Sequence, residues 1–174
     1  MLMISLRNVE KDQQHAHARA LLRECLKPLG IAFSGEEQLE RGKQGKPFLR
    51  EKPDVHFNLS HAQGITACLV SDRQCGIDCE SVREYRRKVM SRAFSGNEQQ
   101  LVENSAPEQR DLLFFRLWTL KESYVKALGT GLAFPMKEAE FSFDDNGGVA
   151  GPAGWKFRQY IIRGRFIVAV CEKE

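Results

Sequence analysis

Residues Asp111–Leu132 read DLLFFRLWTLKESYVKALGTGL, and helical spacing sorts them onto two unlike faces. Leu113, Leu117, Leu120, Tyr124 and Leu128 fall on one stripe, which reads as core, and Gly129-Thr130-Gly131 supplies the stop that helix C-termini favour. The opposite face carries Phe115, Trp118, Glu122 and Lys126 at spacings of three and four. A solvated face rarely places Phe and Trp beside its charges. The spacing therefore predicts a helix covered on both sides, with Glu122 and Lys126 facing a cleft. The alternative is an exposed Glu-to-Lys pair at i,i+4, which adds a few tenths of a kcal/mol to a surface helix. On this stretch alone the two readings stand level.

Outward from it, the chain alternates helices with period-two segments. Met1–Leu6 reads as an edge strand. Gln14–Leu26 reads as a helix burying Ala18, Leu21, Leu22, Cys25 and Leu26, closed by Pro28 and Gly30, with Arg19 and Arg23 on its other side. A weak helical signal covers Glu36–Arg41, and Lys43–Pro47 is a loop. From Val55 the period changes to two, and three segments (55–60, 65–70 and 75–80) joined by short turns predict an antiparallel meander. Helices follow at 85–94, 96–104 and 107–128, then strands at 139–143, 155–162 and 165–171. Helix followed by meander thus occurs twice. The expectation is an α+β fold of two similar lobes related by a pseudo-twofold axis, each a helix on a small antiparallel sheet. Residues 1–80 form the N-terminal lobe and 81–174 the C-terminal lobe.

With 174 residues, 42% hydrophobic and 28% charged, the chain can bury a proper core. No apolar run approaches bilayer length and no leader-like start is present, so membrane insertion and export are not expected. Five cysteines with no CxxC pair point to reduced thiols and a cytoplasmic location. Only Cys75 falls in a turn, where it would be exposed. The histidines lack zinc-site spacing. A net charge of +3, with no RRM, KH or helix-turn-helix signature, argues against nucleic acid as partner. The run Arg83–Lys88 is locally basic: a solvated face, or a landing patch for an acidic partner.

Two further stretches carry chemistry. In Gly76-Ile77-Asp78-Cys79-Glu80, period two puts Asp78 and Glu80 on one face and Ile77 and Cys79 in the core. Such like charges repel unless a cation lies between them, and magnesium suits a site of few carboxylates and substrate phosphates. Two acids on a solvated edge strand are the alternative. In Phe57-Asn58-Leu59-Ser60-His61, adjacent Ser60 and His61 point apart, and no GxSxG elbow surrounds the serine. A serine and a histidine each touching a phosphate fit better than a nucleophile pair.

Together Gly45-Lys46-Pro47, Phe57–His61, Gly76–Glu80, Phe94-Ser95-Gly96-Asn97-Glu98 and Trp118–Ser123 with Lys126 and Gly129–Leu132 occur in one order. In that order, over Arg19 to Phe143, the sequence resembles the 4′-phosphopantetheinyl transferase superfamily. The type it resembles is two-lobed and serves fatty-acid, polyketide and nonribosomal peptide assembly. The resemblance implies that Asp78, Glu80 and Glu122 hold Mg2+ against the coenzyme A pyrophosphate. It implies that Lys126 neutralises charge there and that Lys46, Ser60 and His61 grip the 3′-phosphate and its neighbours. Lys121 and Arg19 would be further coenzyme A contacts, and Glu98 matches an acidic position of unassigned role. Glu122 would take a proton from the serine of an apo acyl or peptidyl carrier protein, and the protein would act as a monomer. Cys79 departs from the family's aliphatic residue, and the N-terminus is short for the type. A coenzyme A-binding regulatory module without turnover is the alternative.

Overall fold

The computed structural model describes residues 1–174, the side chain of Leu132 excepted. Strand β1 (Leu2–Ser5) leads into helix α1 (Gln14–Leu26), a small hairpin of β2 (Leu39–Arg41) and β3 (Pro47–Leu49), then β4 (His56–Ala62), β5 (Ile65–Ser71) and β6 (Cys75–Ser81). Helices α2 (Arg87–Ala93), α3 (Gly96–Asn104) and α4 (Pro107–Leu128) follow. The chain ends with a minimal pair, β7 (Ser142–Phe143) and β8 (Val149–Ala150), and a hairpin of β9 (Trp155–Ile162) and β10 (Phe166–Lys173).

Alternation in the strands sets the layers. Phe57, Cys68 and Val70 pack beneath Leu21, Leu22, Cys25 and Leu26 of α1. Their neighbours Ile65, Ala67 and Leu69 point the other way, onto Ile77, Cys79, Val168 and Val170 of a second sheet. That second sheet turns Ile167 and Ala169 toward Leu117 and Leu120 of α4. The order of layers is α1, sheet, sheet, α4. Leu22, Leu117 and Leu120 are fully buried, and burial of each such side chain contributes about 1.5–3 kcal/mol.

The first sheet has the order β1-β5-β4 and the second β6-β10-β9, all antiparallel. Each is therefore a strand, a helix and a hairpin, with the first strand paired to the last. This two-lobed α+β repeat matches the expected class. The expected meander does not form. A three-residue connection allows a hairpin, yet β6 pairs along its length with β10, from Phe166↔Ser81 to Glu172↔Cys75, and lies across from β4 and β5. Sequence period shows which face is apolar and not which strand is the neighbour. A division after Glu80 thus leaves β6 on the opposite side from its own sheet. Cys75 is also fully buried, in the intersheet core, rather than exposed in a turn.

Helix α4 spans the predicted residues, with Pro in its first turn and Gly129 in the left-handed conformation (φ 72°) at its end. It is buried well beyond one stripe, including Phe115, Thr119, Lys121 and Ser123. Its approach to β6 depends on Gly76: a Cβ there would lie 2.0 Å from the Ser123 carbonyl oxygen and 2.4 Å from the Ala127 nitrogen. The helix backbone rests on this glycine, which brings Glu122 and Lys126 over Asp78.

Candidate active site

The centre is built from three elements. Strand β6 turns Asp78 toward α4, β4 contributes Ser60, and α4 contributes Lys126. Asp78 Oδ1 accepts from Lys126 Nζ at 2.6 Å and from Ser60 Oγ at 2.8 Å. The Lys126 ammonium also lies 3.0 Å from Ser60 Oγ, and that oxygen accepts from the Cys79 amide at 3.2 Å. Asp78 is only 5% exposed, and its second oxygen, Oδ2, is buried without a partner among the described residues. Burial favours a neutral Lys126 amine, but the ion pair with Asp78, helped by Glu122, outweighs it and holds the pKa above its ordinary value. Lys126 thus stays charged across the physiological range.

Glu122, one turn before Lys126, is half-buried. Burial first, then the charges of Asp78 and Glu80, push its carboxyl above its ordinary value despite the pull of Lys126. A carboxylate raised in this way is a better base. Glu122 and Lys126 line a cleft of about 400 Å³ whose other walls include Asn58, Leu59, Phe134 and Met136. The reading of α4 as covered on both sides, with this pair at a cleft, holds.

The remaining expected residues scatter. Glu80 bonds Arg83 Nη1 at 2.8 Å and lines a different cavity, together with His61 and Arg165. His61 lies on the α1 side of β4, its ring 5.1 Å from that of His15 and edge-on to it. Burial, then His15 and Lys126, lower its pKa, so it is neutral near pH 7. Ser60 and His61 therefore serve opposite faces of their strand. Lys46 Nζ donates to the carbonyls of Cys75 (2.7 Å) and Ala127 (3.0 Å), tying the β2–β3 loop to the end of α4. Arg19 is paired with Glu36 and is absent from the cleft lining.

Lys121 requires the clearest correction. It is fully buried, forms an ion pair with Glu98 at 2.8 Å and is absent from the cleft lining. It cannot meet a phosphate there. Glu98 in turn accepts from the Ser95 amide (2.8 Å), closing a capping box on α3, and from the Phe141 amide (2.9 Å). Sequence reasoning also passed over Asn58, whose Oδ1 accepts from the Ile77 amide at 2.9 Å. The available signal was its place two residues before Ser60, on the same face of β4.

Among the described residues, no three His, Cys, Asp or Glu side chains are gathered to hold a metal. Lys126 engages Asp78, and Arg83 engages Glu80. The donors still suit magnesium: Asp78 Oδ2 is a hard oxygen left without a partner, and Glu122 lies in its field. Magnesium commonly takes only one or two carboxylates, with waters and substrate phosphates completing the shell.

Residues 74–171 match the sequence profile of the 4′-phosphopantetheinyl transferase superfamily, more than half of the chain. The chain belongs to this superfamily. It is similar to a 4′-phosphopantetheinyl transferase of Bacillus subtilis, with 32% identity over 84% of this chain and 65% of the relative. A second, from Aneurinibacillus migulanus, is 37% identical over 61% of this chain and 43% of its own length. The chain thus spans between under half and just under two thirds of these relatives. Among solved structures it is similar to the holo-acyl-carrier-protein synthase of Thermotoga maritima, with a TM-score of 0.48 and 26% identity over 58% of this chain and 64% of that one. Among the described residues, no helix is long and apolar enough to cross a membrane.

Proposed function

We propose that this superfamily member transfers 4′-phosphopantetheine from coenzyme A to a serine of an apo carrier protein, releasing adenosine 3′,5′-bisphosphate. The observation that carries the reading is the placing, on one helix face at one cleft, of a lysine ion-paired with Asp78 beside a carboxylate whose pKa burial raises. In the reaction the serine oxygen forms a bond to the phosphorus on the pantetheine side of the pyrophosphate. The bond from that phosphorus to the bridging oxygen breaks, and the bisphosphate departs with the electron pair. Glu122 accepts the serine proton, a contribution of about 10²–10⁴ in rate for a positioned base. Lys126, aligned by Asp78 and Ser60, faces the negative charge that grows on the phosphate oxygens. Asp78 and Glu122 would hold magnesium, with Glu80 joining only if it leaves Arg83; the ion would supply Lewis-acid stabilisation of the pyrophosphate. Ser60 acts by orienting Asp78 and Lys126, Lys46 by fixing the loop over the cleft.

The test is incubation with coenzyme A, magnesium and a panel of apo acyl and peptidyl carriers, read by intact mass. A carrier gaining the phosphopantetheine mass, and failing to gain it in excess EDTA, is the expected result. Full transfer in EDTA overturns the metal assignment. A protein that binds coenzyme A yet modifies no carrier is the regulatory module instead.

A further inference from the structure

The buried Lys121–Glu98 pair lies outside the cleft, yet its contacts lead to it. Lys121 Nζ donates to the carbonyls of Met136 (2.9 Å) and Ala139 as well as to Glu98. These carbonyls belong to the segment that follows α4, and Phe134 and Met136 of that segment line the cleft together with Leu59 and Glu122. Glu98 grips the same segment further on, through the Phe141 amide. The segment is irregular, with two short 3-10 turns (Gly131–Ala133 and Met136–Glu138) and no strand until Ser142, so no ladder holds it in place.

A buried ion pair contributes little net stability compared with apolar residues of equal volume. Such a pair can, however, fix one geometry, because every donor and acceptor has a single arrangement that satisfies it. We infer that Lys121 is a positioning residue: with Glu98 it clamps the Phe134–Phe141 segment to α4 and so sets the width of the cleft at Met136. Lys121 and the base Glu122 are adjacent on α4, so one helix turn fixes both the wall and the proton acceptor. The predicted direct contact between Lys121 and coenzyme A gives way to an indirect role. The inference rests on the proposed reading only for its activity arm.

Lys121→Met alone leaves Glu98 charged and unpaired in the core, a strongly destabilising change. The informative variant is the double change Lys121→Met with Glu98→Gln. It removes both charges together, and the glutamine oxygen still accepts from the Ser95 or Phe141 amide. Cooperative thermal unfolding establishes that the variant is folded. Two readouts then apply. The Met136 methyl resonance, observed with carbon-13 methyl methionine, is expected to shift and broaden relative to the parent. The KM for coenzyme A is expected to rise about tenfold or more with a much smaller change in kcat, since an apolar pocket contact changes binding by roughly 10–200-fold and acts equally on ground and transition states. The paired Lys121→Arg variant, which keeps the charge, is expected to recover part of the loss. An unchanged Met136 resonance in the folded double variant overturns the inference whether or not the protein transfers anything. A KM for coenzyme A unchanged in the folded double variant also overturns it, because the cleft wall would then keep its place without the pair. Failure of the parent to modify any carrier counts against the proposed function and leaves the methyl readout decisive for the clamp.

Discussion

Glu122 carries a charge that its surroundings resist. Burial, then Asp78 and Glu80, raise its carboxyl above the ordinary 4.5. The folded protein then holds this proton more tightly than the unfolded chain, so stability falls as pH rises from 4.5 through the folded value. Glu122→Gln removes the penalty. The variant is expected to melt above the parent at neutral pH, with the gain vanishing below pH 4.5, where both forms are uncharged. Calorimetry across that range decides it, and a gain that grows toward acid reverses the assignment. The same shift places the acid limb of transfer activity above 4.5 in the parent, while the variant loses about 10²–10⁴ in rate if Glu122 is the base. At this scale the sequence was readable in part. Period two put Asp78 and Glu80 on one face of β6, and it put Ile77 and Cys79 in the core, where the structure has them. It did not say what covers the acidic face. Because α4 lies there, Asp78 is buried in an ion pair rather than exposed on a polar strand, and its partners come from residues far away in sequence.

At the scale of elements, helix limits were the most legible feature. Local spacing and stop signals place α1 at Gln14–Leu26 and α4 at Pro107–Leu128, as observed. Strand partners were not, because the β6–β10 pairing joins segments about ninety residues apart and leaves no local mark. The expected strand at 139–143 shrinks to Ser142–Phe143, since the carbonyls before it are spent on Lys121. The weak helix at 36–41 becomes a 3-10 turn and a short strand paired with Pro47–Leu49. The contact that matters most between elements is that of α4 with β6, and it passes through Gly76. Gly76→Ala would place a methyl group 2.0 Å from the Ser123 oxygen and 2.4 Å from the Ala127 nitrogen. Both are backbone atoms that cannot rotate away, so strand and helix must separate. Overpacking costs about 1–3 kcal/mol, and a backbone clash belongs at the upper end. Urea denaturation is expected to show a loss of that size, together with weakened Asp78–Lys126 pairing and reduced transfer. A variant as stable as the parent would mean that the two elements can slide without cost.

At the scale of the whole molecule, the repeat of strand, helix and hairpin suggests two bodies, but the contacts between them argue for one. Ile65, Ala67 and Leu69 of the first sheet pack directly on Ile77, Val168 and Val170 of the second. Ser60 and Asn58 of β4 hydrogen-bond Asp78 and the Ile77 amide of β6. Lys46 spans from the first half to the end of α4. Separating the halves would expose this apolar interface and strip a buried carboxylate of one of its two partners, a cost well above that of losing any single contact. Unfolding is therefore expected to be a single transition. Both tryptophans, Trp118 and Trp155, lie in the second half, whereas far-ultraviolet circular dichroism also reports α1 in the first. Urea curves followed by fluorescence and by dichroism should coincide, as two-state behaviour requires. If dichroism fell first while fluorescence held, the first half would be a separate, weaker body. The cleft needs Asn58 and Leu59 from that half and Glu122 and Lys126 from the other. Independent melting would then predict that activity is lost with the first transition, before the second half has moved.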